Sequence, residues 1–180
     1  MSQANRDIGG ANNRKGNRFE DAFAVARLLE LAPPVFEGKS TVLIKEQAGC
    51  HVDDLLICES ARRHYYQLKD DKTITWRRDN GKLTTLFETQ KAECEARNEE
   101  FSLSVVVSED HRKKSLDTNM PVSLTGPVTV VHFQRLRRPS ELSRRPHLQL
   151  ALSSITAWRE PGPAALEEVA TGFISRMGRM

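Results

Sequence analysis

The stretch VDDLLICESARRHYYQLKDDK, Val52 to Lys72, decides how the rest of the chain is read. Val52 to Cys58 and His64 to Leu68 are rich in β-branched, aromatic and aliphatic residues, and a short polar turn at Ala61-Arg62-Arg63 separates them. That pattern predicts a hairpin. Upstream, Thr41 to Gln47 (TVLIKEQ) reads as a further strand, and the short links make the three an antiparallel meander. Strand propensity explains the pairing. It does not explain two acids at the start of one strand and a Gln-Leu-Lys in the next.

Helices flank the meander. In Arg18 to Leu31 (RFEDAFAVARLLEL), Phe19, Ala22, Phe23, Ala26 and Leu29 recur at helical spacing, with Ala32 continuing the stripe. Asn17 can cap this helix, Glu20 and Asp21 suit its first turn, and Pro33-Pro34 is expected to end it. Leu83 to Asn98 predicts a second helix, with Leu86, Ala92 and Ala96 among its apolar positions. Phe101 to Ser108 (FSLSVVVS) is almost continuously apolar, which predicts a strand covered on both faces in the middle of a sheet. Ser108 to Gly126 reads as a long polar loop and Val128 to Phe133 as another strand. Pro139 to Trp158 and Ala164 to Met177 read as helices divided by Pro161-Gly162-Pro163. The expected class is α/β with a C-terminal helical extension. Its expected divisions are a flexible segment over 1–15, a domain over 16–133 and the extension over 134–180.

Composition narrows the function classes. A chain of 180 residues, 38% hydrophobic and 28% charged, suits one soluble domain with a proper core. No apolar run reaches membrane-spanning length, and the polar N-terminus lacks the apolar region of a signal peptide. The three cysteines, Cys50, Cys58 and Cys94, have no metal-type spacing and read as buried thiols of a reducing cytoplasm. His64 and His132 fall in expected strands and read as packing or hydrogen-bonding residues rather than metal ligands. No glycine-rich phosphate loop and no Ser-His-Asp order is present. The net charge of +3 says little, but the basic residues cluster at Arg62-Arg63, Arg77-Arg78, Arg112-Lys113-Lys114, Arg135 with Arg137-Arg138, and Arg144-Arg145. Such clusters suit phosphates, although basic pairs in loops are also commonly just solvated.

Strand alternation puts Gln67 and Lys69 on one face, and the thirteen-residue separation from Asp54 to Gln67 brings Asp54 beside them. A carboxylate from Asp54, the side-chain oxygen of Gln67 and the carbonyl of Leu68 make a hard-oxygen set suited to Mg²⁺, which keeps several waters. A divalent cation there activates water against a phosphodiester, and Lys69 can orient that water or stabilise charge on phosphorus. Glu20 can hold a metal through water or complete a second site. Each element also has an ordinary explanation. Gln-x-Lys is commonplace on strands, Asp53-Asp54 suits a turn, and Glu20 suits a helix start.

The conjunction of GNRFEDAFAVARLLE, VDDLLI and HYYQLKDDK in the order helix, strand, strand, strand, helix, strand resembles the PD-(D/E)XK nuclease superfamily. The likeness covers Gly16 to Ser108 and is closest to the double-stranded-DNA nuclease domains of bacterial anti-phage effectors. It implies a restriction-endonuclease-like core, a mixed central sheet flanked by helices. It also implies a Mg²⁺-dependent (or Mn²⁺-dependent) endonuclease acting on DNA. The catalytic set would be Glu20, Asp54, Gln67 and Lys69. The metal would be held by Asp54, Gln67 and the Leu68 carbonyl, with Asp53 the competitor of Asp54 and Glu46 a possible accessory. Gln67 departs from the usual acid, which lowers the negative charge of the site, and Val52-Asp53 replaces the motif's proline. Arg137, Arg138, Arg144 and Arg145 are the expected duplex contacts. The expected partners besides DNA are further copies of the chain, through Trp158 and the helix from Ala164, or a regulatory subunit in the cytoplasm. Two other readings stay open: a weakly active or inactive nuclease-fold module that binds nucleic acid or protein, and a nuclease directed at RNA.

Overall fold

The computed structural model describes residues 3–36, 38–46, 48–71, 73–136, 141, 144–146 and 148–149. The chain divides into two compact units, Ser40–Arg135 and a second formed by Met1–Lys39 with Leu136–Met180. The class is α/β.

The Ser40–Arg135 unit is built on a five-stranded sheet whose strands lie in chain order. β1 (Val42–Glu46), β2 (Leu55–Glu59) and β3 (Arg62–Lys69) form the antiparallel meander. The β2–β3 turn falls at Ser60-Ala61, one residue earlier than the basic residues suggest, because Ser60 takes φ 55° and Glu59 pairs with Arg62. Two-residue hairpins require positive φ at the first turn position, and a small polar residue tolerates it. Arg62 and Arg63 are thereby strand residues. In the β1–β2 link, Gly49 (φ 70°) turns the chain and the Ala48 N–H donates to the Asp53 carbonyl at 2.9 Å.

The sheet changes sense after β3. β4 (Glu100–Val107) runs parallel to β3, and β5 (Val128–His132) parallel to β4. Parallel neighbours need a crossover, and α2 (Arg78–Ala96) supplies the one from β3 to β4. The segment expected to be a polar loop contains α3 (Asp110–Thr118) and a 3₁₀ turn at Val122–Leu124. Only Leu116 and Arg112 of α3 are buried, so the sequence carried too thin an apolar stripe to announce a helix. Between β3 and β5, β4 is buried along both faces, with Leu103, Val105, Val106 and Val107 fully enclosed. On one face Tyr65, Leu103, Val105 and Val107 form a core with Trp76, Phe87, Cys94, Leu116 and Leu124. The Trp76 ring meets Phe87 edge-on at 5.8 Å, and its indole N–H donates to the Leu116 carbonyl at 2.8 Å.

The other unit contains α1 (Gln3–Phe36). This helix runs through the N-terminal segment expected to be flexible and past Pro33-Pro34. Proline removes a donor but keeps helical φ and its carbonyl acceptor, so it weakens the last turn without stopping it. The stop is Gly38 at φ 69°, where the Gly38 N–H donates to the Val35 carbonyl and the Lys39 N–H to the Pro34 carbonyl, at 3.0 and 2.9 Å. Phe19, Ala22, Phe23, Ala26 and Leu29 are buried, as their spacing implies, and Ala24, Val25 and Leu31 are buried too. The two expected C-terminal helices, Trp158 included, fall almost wholly outside the described residues. Among the described residues no helix is long and apolar enough to cross a membrane.

Candidate functional site

Asp54 stands immediately before β2, where the pairing of Leu55 with Tyr66 continues to set it opposite Gln67. Tyr65, Gln67 and Lys69 share one face of β3, and their β4 neighbours are Leu103, Val105 and Val107. The face is thus apolar at Tyr65 and turns polar towards the strand's C-terminal end. Gln67 is 3% exposed, and its amide N–H donates to Asp54 Oδ2. The Leu68 backbone N–H donates to the same oxygen at 2.7 Å, and Lys69 Nζ lies 3.8 Å from it. All three interactions fall on Oδ2, which leaves Oδ1 out of them.

Burial pushes the Asp54 carboxyl above its ordinary value. The Lys69 ammonium, the Leu68 N–H and the Gln67 amide pull it back, and the neighbouring Asp53 adds to the push. Taking a carboxylate out of water disfavours its charged form, and opposite charge and donated hydrogen bonds restore it. The result is a half-desolvated acid beside a partly exposed lysine, with side-chain exposures of 12% and 34%.

Of the two acids, Asp54 touches Gln67, Leu68 and Lys69. Asp53 is half-buried, and its carbonyl closes the β1–β2 link. Glu46 is exposed at the end of edge strand β1, opposite Leu55. Glu20 is half-buried on α1, in the other unit. Arg137 and Arg138 lie outside the described residues. Arg144 is exposed. Arg145 is half-buried, and burial lowers the pKa of its guanidinium while Glu141 and Glu30 oppose that.

Two positioning residues escaped the sequence reading. Gln90 of α2 is fully buried, and its amide oxygen accepts the N–H groups of His51 and Val52 at 3.0 and 3.3 Å. It therefore ties the segment leading to Asp53-Asp54 onto α2. The signal was a polar residue on the apolar stripe Leu83, Phe87, Cys94. Arg112 belongs to a cluster that looked like a phosphate patch. It is buried, pairs with Glu109 at 2.8 Å, and donates to the Asp71 carbonyl, two residues beyond Lys69. Its neighbours Lys113 and Lys114 pair with Asp117 and Asp110 at 2.5 and 2.7 Å. The cluster is internally neutralised. Arg135 likewise meets Asp70 at 3.1 Å.

The oxygens expected to hold a divalent cation are those of Asp54, Gln67 and the Leu68 carbonyl. One carboxylate with neutral oxygens is a sparse set, and it suits Mg²⁺ only with most of its waters retained. Among the described residues no group of three or more His, Cys, Asp and Glu could hold a metal ion. Thiol chemistry has little footing here, since burial raises the pKa of both Cys50 and Cys94. Comparison with family models, with curated proteins and with solved structures yields no match for this chain.

Proposed function

We propose that the chain is a metal-dependent endonuclease of DNA, double-stranded by preference, with a PD-(D/E)XK-like core. The single observation behind this is the convergence of Asp54, Gln67 and Lys69 where β3 leaves the sheet. The three-strand meander, followed by a helix and a parallel strand, also fits such a core. Asp54, Gln67 and the Leu68 carbonyl would hold Mg²⁺, or Mn²⁺ in its place. When bound, the cation supplies an activated water and offsets phosphate charge. Lys69 offers an ammonium group that can turn from Asp54 to a phosphate oxygen and stabilise the charge that develops there. Glu20 remains the proposed helix acid of the catalytic set. The biological setting in keeping with this chemistry is a cytoplasmic anti-phage effector, acting as a homo-oligomer or under a regulatory subunit.

A second reading has its own support. Lys69 already neutralises Asp54, and the described residues offer no rich acidic cage, as befits a nuclease-fold module that binds nucleic acid or protein without cutting. Incubation with supercoiled plasmid, with Mg²⁺, Mn²⁺ or chelator, separates the two. The expected outcome is nicking that needs the metal. Lys69→Ala should lower it about 10²- to 10³-fold, as loss of one charge-stabilising donor does. A parent protein that binds the plasmid yet never nicks it decides for the module.

A further inference from the structure

Beside Lys69, between the segment that follows β3 and the start of α2, lies a cleft of about 380 Å³. Part of its lining is apolar. Ile74, Leu83 and Leu86 pack against the core and also line the cleft. Two cations line it, Lys69 from β3 and Lys82 from α2. Lys82 is exposed, and among the described residues no acid pairs with it. It differs in this from Arg63, Lys91, Arg97, Lys113 and Lys114, each of which faces a carboxylate. Thr73 and Thr75 add hydroxyl groups to the wall, and among the described residues that line it Asp71 is the one carboxylate against two lysines.

We propose that this cleft receives the sugar–phosphate unit adjoining the scissile phosphate, with Lys82 holding that unit's phosphate. A lone inorganic anion would use neither the volume nor the apolar part of the lining. The volume falls within the roughly 300–1,000 Å³ of sites that enclose small organic groups. A sugar offers a carbon-bound face to Ile74, Leu83 and Leu86 while its phosphate meets an ammonium. Such an interaction reads no base, so it adds affinity without sequence preference. The assignment to the unit next to the cut rests on the nuclease reading above. The presence of a backbone site in the cleft is separately measurable.

The test compares the full-length parent with Lys82→Ala and Lys82→Arg. Binding of fluorescent duplexes of two unrelated sequences is followed in chelator, at several salt concentrations, and plasmid cleavage is followed in Mg²⁺. The expected result is a flattening of the log-affinity against log-salt slope by about 0.9 for Lys82→Ala on both duplexes, the share of a single neutralised phosphate. Lys82→Arg should restore the slope. In cleavage, Lys82→Ala should raise KM with little change in kcat. An unchanged slope overturns the cleft assignment, whatever the enzyme cuts. A changed slope with no cleavage by the parent in Mg²⁺ or Mn²⁺ keeps a backbone site in the cleft and overturns the hydrolytic reading. A parent that binds neither duplex overturns both.

Discussion

Asp54 is held under tension. Its carboxyl is desolvated, its pKa is raised by that burial, and one partly exposed lysine and two N–H donors only partly offset the shift. A raised folded-state value means that the native state binds the proton more tightly than the unfolded chain does. Asp54 therefore supports the fold fully below the ordinary aspartate value and loses that support as pH rises through its folded value. Asn at this position keeps an oxygen for the Gln67 and Leu68 donors and removes the buried charge. Asp54→Asn is expected to melt at or above the parent temperature near neutral pH, with the difference shrinking as pH falls towards about 4, the ordinary aspartate range, while metal-dependent nicking disappears. Melting curves across pH, run beside the plasmid assay, check both halves. A group that costs stability and is needed for activity is the signature of a working site. Gln67→Glu turns the same logic round. It sets a second carboxylate against Asp54, so the apo protein should melt lower and gain more from Mg²⁺ than the parent does, because a ligand stabilises the state it binds. Titration calorimetry with Mg²⁺ gives the direct reading, and weaker binding by the Glu variant removes Gln67 from the ligand set.

At the scale of elements, the position of Asp54 depends on α2. The amide of Gln90 satisfies two backbone N–H groups in the segment before Asp53, and its own N–H groups turn to Cys94 Sγ at 3.4 Å. Gln90→Leu keeps the volume and leaves the His51 and Val52 donors without that acceptor, at a cost of about 1–3 kcal/mol. Urea unfolding should show that loss. Nicking should fall further than in Cys94→Ala, assayed where both variants are fully folded, because only the first loosens the segment that presents Asp54. Equal losses of activity would reduce Gln90 to a packing residue. Much of this element-level structure was legible. The meander, both principal helices and the buried β4 follow from strand composition and helical spacing. The Ser60 turn and α3 were not legible, since one depends on a single residue tolerating positive φ and the other on a helix held by only two buried side chains.

For the whole molecule, charge is the property that reaches furthest. The sequence shows clusters of arginine and lysine, but the fold sorts them. Arg63, Arg112 and Lys113–Lys114 are paired with acids, whereas Arg144 is exposed and Arg145 is partly buried under the influence of Glu141 and Glu30. The two neighbours should therefore behave differently. Arg144→Ala is expected to flatten the salt dependence of duplex binding by about 0.9 and leave melting unchanged. Arg145→Ala should lower the melting temperature with a smaller effect on the slope. If Arg144→Ala leaves the slope intact and instead shifts the mass in solution, the segment serves association between copies.

The sequence by itself determined the α/β class, the order of the five strands along the chain with α2 before β4, and the shared face of Gln67 and Lys69. These are consequences of local periodicity: two residues per strand repeat, 3.6 per helical turn, and short links that leave adjacent strands no choice but to pair. Only the tertiary structure decided that Asp54 and not Asp53 meets Lys69, that Gln90 secures the acid's approach, that Arg112 is buried, and that a cleft opens between Lys69 and Lys82. Those outcomes depend on groups distant in the chain competing for the same hydrogen bonds and the same space. A one-residue choice of turn fixes which acid faces the site, and no local pattern encodes that choice.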